Sequence, residues 1–205
     1  MEKSRKILRR LELLHPKKID LSLDRLRRLL NKLNNPHLRL PPVIHIAGTN
    51  GKGSVTSILR SIYETSKLNV QCYTSPHIIK FNERIRINSK LITNDYLNIL
   101  LEECEFYNRG EEITFFEITT AAAFLAFSRV NSDLLILETG LGGRFDATNI
   151  IEEKICSVLT PISMDHMNFL GSKISLIARE KLGIVKNSER GILSKQKSYV
   201  KYLMR

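Results

Sequence analysis

Tryptophan is absent from this 205-residue sequence, and phenylalanine and tyrosine together make up only 7% of it, so no aromatic-rich RNA-binding motif is available. Cysteine is scarce as well. Cys72, Cys104 and Cys156 are odd in number, widely spaced and without a CxxC pair, which argues against a disulfide framework or a cysteine zinc site and leaves them as buried thiols. No window approaches the roughly 18 consecutive apolar residues of a membrane helix. The N-terminus MEKSRKILRRLELLHPKK also lacks the apolar core and small-residue cleavage site of a signal peptide, so a cytoplasmic location without membrane attachment is expected. There is no internal repeat and no low-complexity tract. What is present is an ordinary composition, 42% apolar and 26% charged, sufficient for one domain with a sizeable core.

The formal charge of +11 is unevenly spread. Residues 1–40 carry a net +8 and residues 186–205 a net +5, which leaves the body of the chain slightly acidic. Basic helical ends of this kind read first as solvated faces, with RNA, a membrane or an anionic ligand as the sharper alternatives.

Apolar spacing predicts helices over Ser4–Leu14 and Ser22–Leu33, the second with Leu23, Leu26, Leu29, Leu30 and Leu33 in one stripe. Pro36, Pro41 and Pro42 break helix before a buried strand, Val43–Ala47. A glycine-rich turn, a helix from Gly53 to about Lys67 and a strand at Val70–Tyr73 complete a βαβ unit and imply a parallel sheet. An irregular segment, 74–94, precedes helices over Asp95–Tyr107 and Phe115–Arg129. Strands at Asp133–Glu138 and Ile155–Thr160, then a helix over about Ser172–Val185, continue the alternation. The fold class is α/β: a doubly wound, mostly parallel sheet whose ligands gather at the carboxyl ends of the strands. Residues 1–40 are expected as basic helices packed on the main domain, 41–190 as that domain and 191–205 as a short tail.

At the first such strand end stands Gly48-Thr49-Asn50-Gly51-Lys52-Gly53-Ser54. Glycines let successive backbone N–H groups and a helix N-terminus face an anion, and Lys52 adds a mobile positive charge, so the turn suits phosphate. Its spacing departs from GxxxxGK[ST], but it keeps the strand-before, helix-after setting. The plain alternative is a tight turn with a surface lysine.

The segment HIAGTNGKGSV resembles the phosphate loop of the folylpolyglutamate and dihydrofolate synthases, members of the Mur ligase superfamily. Further segments agree in order: TSPH at 74–77 with FNERI at 81–85, Phe116-Glu117, LETGLGGRFDATN at 137–149, Asp165-His166 with Leu170-Gly171, and REKLGI at 179–184. The resemblance covers about residues 20–190. It implies ATP-dependent joining of L-glutamate to a folate or dihydropteroate through an acyl phosphate, with Mg²⁺ offsetting phosphate charge.

By resemblance, Gly48, Thr49, Asn50, Gly51, Lys52, Gly53 and Ser54 hold the ATP phosphates. Ser75, Glu138 and His166 are implied as Mg²⁺ ligands, and Lys181, if carbamylated, as a further metal ligand. Lys52, His166 and Lys181 are thereby the catalytic candidates. Carbamylation needs a neutral amine, hence a pKa lowered by burial or neighbouring positive charge. Asn82, Glu83 and Arg84 are the polar candidates for contact with the pterin substrate, with Arg144 and Asp146 behind them.

Complete family members continue into a second α/β domain that helps bind glutamate and closes over ATP, and no such segment follows Val185 here. The expectation is therefore a monomeric ligase part that needs the absent domain, encoded separately in a split enzyme or lost. The alternative is a catalytically silent nucleotide-binding remnant. A generic P-loop kinase or GTPase fits the fold but not the LETGLGGRFDATN segment, and an RNA-binding role ranks last.

Overall fold

The computed structural model describes residues 2–17, 19–186 and 190–203. In chain order the helices are α1 (Glu2–Leu11), α2 (Asp24–Lys32), α3 (Lys52–Thr65), α4 (Asn94–Asn108), α5 (Phe115–Ser128), α6 (Met167–Leu170), α7 (Ile174–Leu182) and α8 (Ser198–Leu203). The strands are β1 (Val43–Ala47), β2 (Val70–Tyr73), β3 (Ile85–Ile87), β4 (Lys90–Leu91), β5 (Leu134–Glu138), β6 (Cys156–Leu159) and β7 (Arg190–Leu193). They form one sheet in the order β4-β3-β2-β5-β1-β6-β7.

The apolar runs take the centre because a strand covered on both faces has no polar side to show. β1, β2 and β5 are buried at every position. The strands from β2 through β7 in that order run parallel, with Ile46 opposite Glu138 and Ala47 opposite Leu159, so the carboxyl ends of β1, β5 and β6 share one edge. β3 and β4 turn back antiparallel beyond β2.

Three layers result. On one face α3 packs Val55, Leu59 and Tyr63 against Ile44, Ile46, Val70, Cys72, Leu134 and Ile136. On the other lies the larger core, built around α5, whose residues 117–127 are all buried. That helix is apolar all round because the sheet covers one side of it while α1, α2 and α4 supply Ile7, Leu11, Leu26, Leu29, Leu97 and Leu101 to the same cluster. Thr114 caps it: its hydroxyl accepts from the Glu117 N–H, and the Glu117 carboxylate accepts in return from the Thr114 N–H at 2.7 Å.

Several expectations needed revision. The segment 74–94, read as irregular, contains a single 3₁₀ turn, Phe81–Arg84, and the hairpin β3–β4. Residues 191–205, read as a tail, contain most of β7 and all of α8, and β7 extends the sheet beside β6. Its sequence RGIL is exposed at all four positions, so no apolar pattern announced it. Cys72 and Cys104 are buried free thiols as expected, while Cys156 is half-buried. Among the described residues no helix is long and apolar enough to cross a membrane.

Candidate active site

The turn after β1 is built around a backbone position that only glycine fits. Gly48 has φ of +150°, and a Cβ placed there would lie 1.8 Å from the Thr160 hydroxyl oxygen. This close approach lets the chain pass β6 and enter α3 through Gly51, which is left-handed at φ of +84°. The Thr49 and Asn50 N–H groups donate to the Pro161 carbonyl at 3.1 and 3.2 Å. Thr49 Oγ1 donates to the Ser163 carbonyl and accepts from the Ser163 N–H, both at 3.1 Å, and Asn50 Nδ2 donates to Ser163 Oγ at 3.1 Å. Thr49 and Asn50 thus fasten the turn to the loop after β6, a role with no sequence signal. Gly51, Lys52, Gly53 and Ser54 open the first turn of α3, where backbone donors have no helical acceptor.

Two lysines converge on this turn. Lys52 Nζ donates to the Gly48 carbonyl at 3.1 Å, and Lys181 Nζ, from α7, donates to the same oxygen at 3.0 Å. Lys181 is only 2% exposed, and burial, aided by the Lys52 charge, pushes its pKa down to about 8 against the opposing pull of Asp165 and Asp146. Asp165 Oδ2 stands 3.9 Å from its ammonium. The neutral-amine condition set by the sequence reading therefore has a structural basis in burial and a neighbouring cation.

Glu138 ends β5 beside the same turn. Its two oxygens lie 3.9 Å from where a Cβ on Gly53 would stand, which puts the carboxylate against the first turn of α3. Burial pushes its pKa up to about 7, opposed by the Lys52 charge and by a hydrogen bond from the Ser75 N–H. Ser75 lies on the loop after β2 and, with His166, lines a cavity of about 410 Å³ that also reaches Phe116, Gly140, Asp146 and Arg84. His166 adopts a left-handed φ of +45°, is half-exposed, and holds Nε2 3.4 Å from Asp165 Oδ1. Among the described residues no three His, Cys, Asp or Glu side chains converge to hold a metal by themselves. The expected set mixes types, and a buried carboxylate with two lysines nearby is chemistry suited to a bound phosphate with its cation.

The remaining candidates separate by position. Arg84 lines the cavity, lies 5.2 Å over the Phe81 ring and donates Nε to His77 Nδ1 at 2.9 Å. Glu83 folds back onto its own loop at the surface, accepting from the N–H groups of Ile78, Ile79 and Lys80 at 2.7–2.9 Å, which lowers its pKa. Asn82 Nδ2 donates to the Ile92 carbonyl at 2.7 Å, closing the β3–β4 hairpin. Asp146 is buried and braces the glycine loop by accepting from the Gly140, Leu141 and Thr148 N–H groups. Arg144 lies over Phe145, and its N–H donates to the Glu180 carbonyl at 2.8 Å. Sequence reasoning missed Arg25, which forks onto Glu117 at 3.0 and 3.1 Å and onto Asp20 at 3.3 Å, fixing one wall of the cavity.

The family model of the Mur ligase middle domain matches residues 46–205. The chain belongs to the Mur ligase middle-domain family. Within this Mur ligase family it is 43% identical over 171 residues, 80% of this chain, to the dihydrofolate synthase/folylpolyglutamate synthase of Bacillus subtilis. It is 37% identical to that of Escherichia coli over 89% of this chain. Those alignments cover 39% and 43% of the relatives, so the chain spans about two fifths of their length. E. coli FolC in complex with DHPP and ADP superposes with a TM-score of 0.90 at 34% identity, covering 98% of this chain and 48% of that one. A bifunctional folylpolyglutamate synthase/dihydrofolate synthase with Mn, AMPPNP and L-glutamate bound superposes at a TM-score of 0.86 and 30% identity, again over 98% of this chain. The α/β fold expected from the sequence, a mostly parallel sheet with helices on both faces, is the fold of these Mur ligase neighbours.

Proposed function

We propose that this chain is the phosphate- and metal-binding part of an ATP-dependent ligase that joins L-glutamate to a folate or to dihydropteroate. Residues 41–190 carry the nucleotide site and residues 1–40 form its helical flank; the glutamate-binding part lies in sequence this chain does not span, attached to it or supplied by a separate chain. The observation that carries the reading is the meeting of Lys52 and Lys181 on the Gly48 carbonyl beside the buried Glu138. The ligand names of the superposed relatives, ADP in one and Mn, AMPPNP and L-glutamate in another, support it.

Making an amide from a carboxylate requires that the acid first accept a phosphoryl group, giving an acyl phosphate and ADP; the glutamate amine then displaces phosphate. In this reading Lys52 follows the charge that moves onto the β–γ bridging oxygen, while the first turn of α3 orients the phosphates. Ser75, Glu138 and His166 would hold Mg²⁺, with Lys181 as its carbamate a further ligand; the ion supplies charge neutralisation at the phosphates. Arg84 and the cavity of about 410 Å³ orient the acceptor and keep water from it.

Two measurements test this. Calorimetric titration of ADP with Mg²⁺ into the chain is expected to give binding that Lys52→Met removes, and binding indifferent to that change would overturn the phosphate site. For the ligase itself, the chain joined to the remaining domain of the Bacillus subtilis relative is expected to form ADP only when acceptor and L-glutamate are both present. ADP formation independent of acceptor would overturn that assignment in favour of a nucleotide-binding remnant.

A further inference from the structure

A second cavity, of about 360 Å³, lies between α1 and the loop after β2, on the far side of Arg84 from the candidate active site. Its charges are one-sided. Arg5 and Arg9 come to it from α1 and Lys80 and Arg84 from the loop, while His77, whose Nδ1 accepts from Arg84, adds no charge and Glu12 is the single carboxylate among its walls. The other cations of α1 are all paired: Lys3 with Glu102, Lys6 with Glu2 and Arg10 with Glu105. Arg5 and Arg9, one helical turn apart on one face, have no acidic partner within ion-pair distance among the described residues. Two like charges at that spacing repel, a cost that a bound anion between them removes.

A second observation points the same way. Ser4 also lines this cavity; it is 5% exposed, and among the described residues its buried hydroxyl oxygen has no hydrogen-bond partner. A buried hydroxyl without a partner has given up its hydrogen bonds to water for nothing, so natural proteins rarely leave one unless something else meets it. The floor is apolar and rigid, with Phe81 edge-on to both His77 and Phe115 at centroid distances of 5.7 and 5.9 Å. Arg84, fixed over Phe81 and by His77, lines both this cavity and the larger one.

We propose that this groove is a binding site for a small multivalent anion, one bearing two carboxylate or phosphate groups about 5–6 Å apart on an apolar body, held by Arg5, Arg9 and the Ser4 hydroxyl. It is separate from the phosphate turn and does not depend on the ligase reading. Glu12, the one carboxylate of the lining, repels an anion that extends along α1 beyond Arg9, so the site takes compact anions. Basic helices also meet anionic membranes, but the orphaned hydroxyl and the walled cavity favour a small ligand over a flat surface.

The test is calorimetric titration of the full chain with isophthalate and, separately, with propane-1,3-diyl bisphosphate, each a compact dianion with its two acidic groups roughly 5–6 Å apart on an apolar body, using Lys52→Met protein so that the glycine-rich turn does not contribute. Saturable binding of one probe, weakened at least tenfold by R5Q/R9Q and about threefold by S4A, is the expected result. The probe that binds identifies carboxylate or phosphate as the ligand chemistry. Circular dichroism spectra of the variants should match the parent, since neither arginine is in an ion pair. Loss of binding by the same factor in K90Q, a cation that does not line the groove, would overturn the proposal, as would unaltered binding in R5Q/R9Q. Failure of both probes alongside R5Q/R9Q-sensitive binding to phosphatidylglycerol vesicles would replace it with a membrane contact.

Discussion

Lys52 and Lys181, 129 positions apart in sequence, place their ammonium groups on one acceptor, the carbonyl oxygen of Gly48, at 3.1 and 3.0 Å. Two cations on one oxygen repel, and the buried one yields. Burial and the Lys52 charge together bring the Lys181 pKa to about 8, below the unfolded value of 10.5. With the folded pKa the lower of the two, the charged form costs stability at all pH values below about 8, and the cost disappears as pH rises from about 8 to 10.5. Wild type should therefore gain stability across that window relative to Lys181→Met, by denaturant titration at each pH. A neutral fraction near pH 8 also predicts a carbamate carbon resonance in ¹³C-bicarbonate that Lys181→Ala lacks. Its absence from wild type would remove Lys181 from the proposed metal ligands.

Glu138 shifts in the opposite sense. Its folded pKa of about 7 lies above the usual 4.5, so above pH 4.5 the carboxylate is progressively more costly folded than unfolded, fully so above about 7. Glu138→Gln is accordingly expected to raise the stability of the free chain at pH 8 by about 1–3 kcal/mol and leave it unaltered at pH 4. The same change should weaken Mg²⁺-dependent ADP binding by tenfold or more at pH 8. Equal stability of both proteins at pH 8 would show that the carboxylate is better solvated than its surroundings imply.

The turn itself depends on Gly48. Alanine there combines a left-handed φ of +150° with a Cβ 1.8 Å from the Thr160 hydroxyl oxygen and 3.0 Å from its carbonyl oxygen, so β6 must move. Gly48→Ala is expected to cost about 3 kcal/mol or more in denaturant unfolding, and the double change Gly48→Ala/Thr160→Ala, which removes that hydroxyl, should recover only part of it, because the residue-160 Cβ at 2.9 Å and the backbone oxygen stay. Full recovery would place the whole conflict in the Thr160 side chain.

How far these features could be read in advance depended on the kind of signal each left. VIHIA at 43–47 and VQCY at 70–73 matched their strands end to end, because short runs that are apolar but for one residue each, His45 and Gln71, and follow a proline or asparagine have few other uses. RGIL at 190–193 is a strand only because β6 offers it a partner, and pairing along an exposed edge leaves no periodicity. Lys181 was the hardest. REK within an amphipathic helix reads as surface, and what buries it is distant in sequence: the loop at 140–146 lies so close on α7 that a Cβ on Gly143 would meet the Glu180 carbonyl at 2.5 Å. The tight turn between β1 and α3 was legible from its glycines, whereas the acceptors that fasten Thr49 and Asn50 lie more than a hundred residues away.

Those acceptors are themselves held by a residue outside the turn. Gln196, between β7 and α8, accepts from the Ile162 N–H at 2.9 Å and donates to the Thr160 carbonyl at 3.2 Å, so it bridges the backbone on either side of Pro161. Pro161 and Ser163 in turn take the hydrogen bonds of Thr49 and Asn50. Gln196 is thereby a positioning residue for the glycine-rich turn to which the proposed function assigns phosphate binding, and it acts through residues 160–163. Gln196→Ala is expected to weaken ADP binding severalfold while lowering global stability by about 1 kcal/mol. Gln196→Glu, which keeps the acceptor and loses the donor, should fall between the two. A purely structural role would lower stability and leave ADP affinity unaltered in the folded protein, so parent-like affinity in Gln196→Ala would separate the tail from the site.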